Sequence, residues 1–147
     1  MTGGGEMQLT GEYQHSLDAK GRFNFSAKLR EILGDHFMVS KGLGDDCLAV
    51  YSMEEWDKLS EKVNKLPIAK AKRLQRFLFS GAFLAEPDKQ GRILLPQNLR
   101  DYAGLTKDIV VIGVGDRAEI WDLAKWEQNV SEMTAELIEE DMCGLDF

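Results

Sequence analysis

At 147 residues the chain has the length of one ordinary domain, long enough to bury a core without disulfides or metals. With 44% hydrophobic and 29% charged residues it is neither disordered nor low-complexity, and its apolar runs, such as Ile109–Val114, are far too short to span a membrane. The formal charge of −7 is unevenly spread: residues 129–147 carry six carboxylates and no Lys or Arg, while Lys58–Arg76 holds seven basic residues against Glu61 alone. The average therefore does not exclude an anionic partner, provided basic groups converge on one face.

In chain order, the first segment, Met1–Met7, has neither a basic nor an apolar signal region. The two distant cysteines, Cys47 and Cys143, read as free thiols, so a cytoplasmic protein is expected. His15–Leu17 is a short extended piece, Asp18-Ala-Lys-Gly-Arg22 a turn, and Phe23–Phe25 alternates like a strand. Ser26 is a candidate N-cap for a short helix burying Leu29, Ile32 and Leu33 and stopped by Gly34. Phe37–Ser40 and Leu48–Tyr51 read as strands around a Gly-Asp turn. Ser52-Met-Glu-Glu55 then matches a capping box for a helix striped by Trp56, Leu59, Val63 and Leu66. Pro67 interrupts that helix, and another runs from about Ile68 to Phe79.

From there the chain repeats itself. Asp88-Lys-Gln-Gly-Arg92 echoes Asp18–Arg22 at a displacement of 70, and the same displacement maps Leu29-Arg30 onto Leu99-Arg100, Gly34 onto Gly104, Tyr51 onto Trp121 and Trp56 onto Trp126. One residue of slippage falls where Lys41–Gly44 meets Ile112–Gly115. In the second copy Pro96 is expected at the first helical position and Gly104 at the stop, with strands at Ile109–Ile112 and Ala118–Trp121. Asp122 is expected to cap one continuous helix with apolar positions Leu123, Trp126, Val130, Met133 and Leu137.

Short strands in a single copy cannot hide both faces of their sheet, so the copies are expected to pack together. The fold class expected is mostly β with peripheral helices (α+β): a pseudo-two-fold small β-barrel built from two tandem repeats. The expected layout is one domain over 11–128, with repeats at about 11–59 and 81–127, a helical joint at 60–80 and an acidic helix or tail at 129–147.

Most enzyme signatures are missing. His15 and His36 stand in no His-Glu-x-x-His setting, and Cys-x-x-Cys and Gly-x-Ser-x-Gly are absent, so neither a metal nor a cofactor is expected. His15 lies three residues before Asp18, a spacing that suits a turn hydrogen bond better than an acid/base pair. Val110–Ala118 imitates a dinucleotide fingerprint, but a short strand follows where a long helix is required.

The doubled Asp-x-x-Gly-Arg motif is the stronger signal. Two readings of it stand open. In one, Asp18, Gly21, Asp88 and Gly91 simply build turns and each Arg pairs with its Asp. In the other, Arg22 and Arg92, accompanied by Lys20 and Lys89 and followed by Lys28, Arg30 and Arg100, form a convergent basic surface that reads guanine edges or phosphates. The Lys58–Arg76 run has a plain reading as a solvated helix face. The apolar run Phe77–Phe83 and the Trp-bearing helices exceed what so small a barrel can cover, so a higher oligomer is expected.

Gly11–Arg22, its echo Asp88–Pro96 and the two Trp-terminated hairpin segments resemble the MraZ family over about Gly11–Val130. By position, Asp18, Lys20, Gly21, Arg22, Asp88, Gly91 and Arg92 match the family motif. Gln90 stands where the first copy has Lys20, and Lys89 lies one place earlier. The leader Met1–Thr10 is longer than the family usually shows. The resemblance implies tandem SpoVT-AbrB-like repeats and a nucleoid-associated bacterial repressor of its own cell-division and cell-wall gene cluster. It also implies ring-like homo-oligomers bound to double-stranded DNA at tandem promoter repeats. An oligomeric protein-binding scaffold or antitoxin-like module is the alternative, and a small-molecule enzyme the third.

Overall fold

The computed structural model describes residues 8–145, so the leader Met1–Met7 and the last acidic residue, Asp146, lie outside the described residues. In chain order the elements are β1 (Glu12–Ser16), β2 (Arg22–Asn24), α1 (Ala27–Leu33), β3 (Phe37–Lys41), β4 (Leu48–Tyr51), α2 (Met53–Asn64) and α3 (Ile68–Ser80). They continue with β5 (Phe83–Ala85), β6 (Arg92–Leu94), α4 (Gln97–Ala103), β7 (Asp108–Gly113), β8 (Ala118–Asp122), α5 (Leu123–Ser131) and α6 (Ala135–Met142). The class is mixed α+β with antiparallel strand pairing throughout.

The larger sheet has six strands in the order β1-β7-β8-β4-β3-β5, and β2 pairs with β6 as a separate ribbon. Exchanging each strand for its counterpart 70 residues away turns this order into itself reversed, and exchanges the two members of the ribbon. Residues 21–30 and 91–100 even share one burial pattern, position for position. Among the described residues no pairing joins β1 to β5, so hydrogen bonding leaves the sheet open rather than closing the expected barrel. β2 and β6 pair with each other and belong to neither edge of the larger sheet.

One core fills the space between sheet, ribbon and short helices. Phe25 and Leu95 enter it from the chain just after each ribbon strand, Leu29 and Leu99 from α1 and α4, and Phe37, Val50, Ile109 and Ile120 from the sheet. The other sheet face buries Cys47, Val110, Ile112 and Trp121 beneath Leu123 and Trp126. Because helices cover this second face, β4 and β8 are buried at every position. An aromatic pair locks each long helix to its strand: Tyr51–Trp56 at 5.7 Å and Trp121–Trp126 at 5.6 Å between ring centroids.

The helix ends depart from expectation in four places. Ser52 does cap α2, its hydroxyl accepting from the Glu55 N–H, but Ser26 makes no side-chain cap, and its carbonyl takes the Arg30 N–H instead. Pro96 sits at the N-cap of α4, one place earlier than expected. Asp122 stands at the N-cap of α5, yet its carboxylate turns inward to accept from the N–H and hydroxyl of Thr106. The expected continuous C-terminal helix is broken: α5 ends at Ser131, and Thr134 starts α6 by accepting from the Leu137 N–H. The apolar stripe had the right period, but a threonine in extended conformation supplies a new start.

The run Phe77–Phe83 is largely consumed within the chain. Leu78 is fully buried, Phe77 packs on Tyr102 and Phe79 on Trp56, and the Lys41 ammonium lies 5.1 Å from the Phe77 ring centroid. One group of exposed apolar side chains runs from the end of α5 through α6, at Val130, Met133, Leu137, Ile138 and Met142.

Phe25 is 1% exposed at the centre of this core, whereas Val130 is 43% exposed. Phe25→Ala is expected to cost about 3–5 kcal/mol. Val130→Ala should stay within about 0.5 kcal/mol. Urea denaturation at fixed protomer concentration checks both.

Candidate nucleic-acid interface

Each Asp-x-x-Gly-Arg segment forms the same turn. Asp18 Oδ1 accepts the N–H groups of Lys20 and Arg22, both at 2.9 Å, and Oδ2 accepts Arg22 Nε at 2.8 Å. In the second copy Asp88 Oδ1 accepts from Gln90 and Arg92, both at 2.9 Å, and Oδ2 accepts Arg92 Nε at 3.0 Å. The glycines are required because the turn runs through φ +89° at Gly21 and +81° at Gly91. The Arg22 N–H, ahead of its guanidinium and the Lys20 N–H, holds the Asp18 carboxyl down to about 2. Asp88 is lowered in the same way, chiefly by the Arg92 N–H.

The turns flank one antiparallel ribbon in which Arg22 pairs with Leu94 and Asn24 with Arg92. Alternation along a strand sends Phe23 and Ile93 into the core and leaves Arg22, Asn24, Arg92 and Leu94 on the outer face. Each arginine is tied to its aspartate through Nε alone, so the two terminal nitrogens of each guanidinium carry no bond among the described residues. The ion pair thus aims each arginine while leaving its outer donors free. Asn24 escaped the sequence reading, although the period-two alternation after Arg22 is the signal that finds it.

The two copies brace each other at this point. The Phe25 N–H donates to the Gly91 carbonyl and the Leu95 N–H to the Gly21 carbonyl, both at 2.9 Å. Arg30 Nε donates to the Phe25 carbonyl at 3.1 Å, and Arg100 Nε to the Leu95 carbonyl at 2.9 Å. Each of these guanidiniums lies against the glycine of the opposite copy: a Cβ on Gly91 would meet Arg30 Nη2 at 2.7 Å, and one on Gly21 would meet Arg100 Cζ at 2.6 Å. Arg30 and Arg100 are therefore partly committed inside the protein. Lys20 and Lys28 on one side and Lys89 on the other are exposed, with no ion pair or side-chain hydrogen bond among the described residues.

The other candidate chemistry does not assemble. Val110–Ala118 is a hairpin in which Val114 N–H donates to the Arg117 carbonyl, and a strand follows it rather than a helix. His15 packs on Phe23, with ring centroids 5.3 Å apart, and its buried Nε2 has no partner, so it makes no pair with Asp18. Among the described residues no group of His, Cys, Asp and Glu side chains is arranged to hold a metal, and no helix is long and apolar enough to cross a membrane. Burial pushes the Cys47 thiol up to about 12, which leaves it unreactive.

Against known proteins, the family model described as "MraZ protein, putative antitoxin-like" matches twice in tandem, over residues 8–77 and 78–146. The chain belongs to the MraZ family. It is 52% identical over 139 residues to "Transcriptional regulator MraZ" of Acetivibrio thermocellus, covering 92% of this chain and 96% of that one. It is 51% identical over 141 residues to the protein of the same name in Natranaerobius thermophilus, covering 93% and 98%. The solution structure of PHS018 from Pyrococcus horikoshii, at 19% identity and TM-score 0.34 over 74% of this chain and 94% of that one, is too distant to inform the fold. MraZ relatives are named as regulators of transcription, so this family member is a transcriptional regulator and not an enzyme.

Because folding lowers the Asp18 pKa, its stabilising contribution is complete above the ordinary value of 3.8 and is lost as pH falls towards about 2. Acid unfolding of Asp18→Asn should consequently show a shallower limb between those two pH values than the wild type. Chemical-shift titration of the Asp18 carboxyl, with a midpoint near 2 rather than 3.8, is the direct measurement.

Proposed function

We propose that this transcriptional regulator binds double-stranded DNA with the β2–β6 ribbon and its two flanking turns. The observation that carries the reading is the pairing of Arg22 and Arg92 on one exposed ribbon face, each held at Nε and each with its terminal nitrogens unoccupied. A two-stranded ribbon fits the major groove, and an oriented guanidinium suits the paired acceptors of guanine. Asn24 offers donor and acceptor to adenine, and Leu94, 54% exposed on the same face, offers an apolar contact to a thymine methyl. Lys20, Lys28 and Lys89 supply phosphate contacts, and Arg30 and Arg100 hold the turns in place. Asp18, Gly21, Asp88 and Gly91 are turn-builders in this reading, so the two interpretations of the motif combine.

The repeats, 11–59 and 81–127 around a helical joint at 60–80, are read as one barrel-like domain about a pseudo-two-fold axis, with 129–147 appended. The exchange symmetry of the strand order supports that reading. In the cell the protein would act at the nucleoid, in the cytoplasm, as a repressor at direct repeats in the promoter of its own cell-division and cell-wall cluster. One ribbon carries few cations, so a single DNA box is held weakly and in a salt-dependent manner. A ring-like homo-oligomer makes each further contact intramolecular, which raises affinity by about 10²–10⁴ without new contacts.

Arg22→Ala should lower single-box DNA affinity by about 1–3 kcal/mol with unfolding behaviour unchanged, and Lys28→Ala should mainly flatten the salt dependence. Three boxes spaced by about one helical turn, roughly 10 base pairs, should bind far tighter than one box or three boxes offset by half a turn. Unchanged affinity in a folded Arg22→Ala protein would contradict the assignment of the ribbon, and equal binding of the three arrays would contradict the multivalent repressor.

A further inference from the structure

Among the described residues the helix α6 is left uncovered. Every described residue from Val130 onwards is exposed, and Leu137, Ile138 and Met142 lie along α6 at 48%, 47% and 45% exposure. An amphipathic helix of eight residues does not hold its shape in water without something to pack on. By helical spacing Glu139 and Glu140 flank this stripe, Asp141 falls between Leu137 and Met142, and Glu136 lies on the far face; none of the four forms an ion pair among the described residues.

An opposite surface lies at the junction of α2 and α3. Leu66 and Ile68 protrude there, the latter 76% exposed, on either side of Pro67. Lys62 and Lys65 precede them and Lys70, Lys72, Arg73 and Arg76 follow along α3, all exposed and without an ion pair among the described residues. Lys72, Arg73 and Arg76 follow the helical spacing that keeps them on one side of α3, while the opposite side buries Ala71 and Leu78. One surface is an apolar strip edged by carboxylates, and the other an apolar corner edged by cations.

We propose that α6 of one copy docks on the α2–α3 corner of a second copy of this chain. Charge selects this occupant. Pairing α6 with α6 would bring two all-acidic rims together, and pairing the corner with itself would do the same with cations, so an isologous contact on either surface is repulsive. A contact between two unlike surfaces either closes reciprocally in a two-fold dimer or runs head to tail into a ring or a filament. The inference rests on the oligomeric reading given above and names the surfaces that would build it. It also accounts for a basic run that the DNA-reading ribbon does not use.

Charge reversal tests this. One variant carries Glu139→Lys, Glu140→Lys and Asp141→Lys, the other Lys72→Glu, Arg73→Glu and Arg76→Glu. Light scattering at micromolar concentration should show wild type well above the protomer mass, with each variant alone falling towards it. An equimolar mixture should recover the wild-type mass, because reversed α6 then faces reversed α3 and each native surface still finds its complement. Joint formation should also weaken from 0.05 to 0.5 M salt. Retention of wild-type mass by either variant, or no recovery in a mixture of two proteins folded by circular dichroism, would overturn the interface. If a triple variant does not fold, Glu140→Gln and Lys72→Gln replace them, and a salt-dependent assembly unaffected by both would overturn it equally.

Single-box DNA binding is measured on the same samples. A monomeric wild type that binds DNA sinks the assembly and this joint while sparing the ribbon. Reversal on α3 that abolishes single-box binding with the mass unchanged makes the corner a DNA surface and ends the proposal. Assembly that follows the charge swaps in a protein that binds no DNA leaves the joint standing and removes the ribbon.

Discussion

The fold turns on two backbone hydrogen bonds. Phe25 N–H to the Gly91 carbonyl and Leu95 N–H to the Gly21 carbonyl tie the end of each ribbon strand to the turn of the other repeat. The donors belong to residues whose side chains are fully buried, so the bonds are shielded from water and costly to leave unmade. Around them everything else is fixed by contact: Phe25 and Leu95 anchor the core, Arg30 and Arg100 seal the opposite glycines, and the ribbon presents its outer face. Neither repeat completes this arrangement alone, because each glycine carbonyl needs the other copy's donor.

That constraint explains why the motif combines an acid, a glycine and an arginine. The aspartate carboxylate closes the turn by accepting two N–H groups and then holds the arginine by a single nitrogen. A bidentate pair would have satisfied the guanidinium and removed it from service, whereas a pair through Nε orients it and leaves donors over. The ion pair is solvent-exposed, and its worth lies in direction more than in stability.

Net charge misleads for a related reason. The chain carries −7, yet five of the carboxylates stand on the exposed segment between Glu132 and Asp141, while the ribbon and the α2–α3 corner are locally basic. Fields at a surface are set by the nearest groups within about 10 Å at ordinary salt, so a protein acidic overall can still present faces of opposite sign.

Much was legible in the sequence by itself, because turn chemistry and periodicity are local. The displacement of 70, the positive-φ glycines, the order of strands and helices within each copy and the outward arginines all follow from residue types at short range. Tertiary structure alone decided three things. It made Arg30 and Arg100 braces, since the glycines they cover belong to the other repeat and no local spacing reveals that contact. It drew the Asp122 carboxylate away from its helix to Thr106, because a buried carboxylate takes the strongest donors within reach. It also left the sheet open and α6 uncovered, since strand pairing and helix docking depend on which surfaces meet across the whole chain, and a hydrophobic stripe carries no record of its partner.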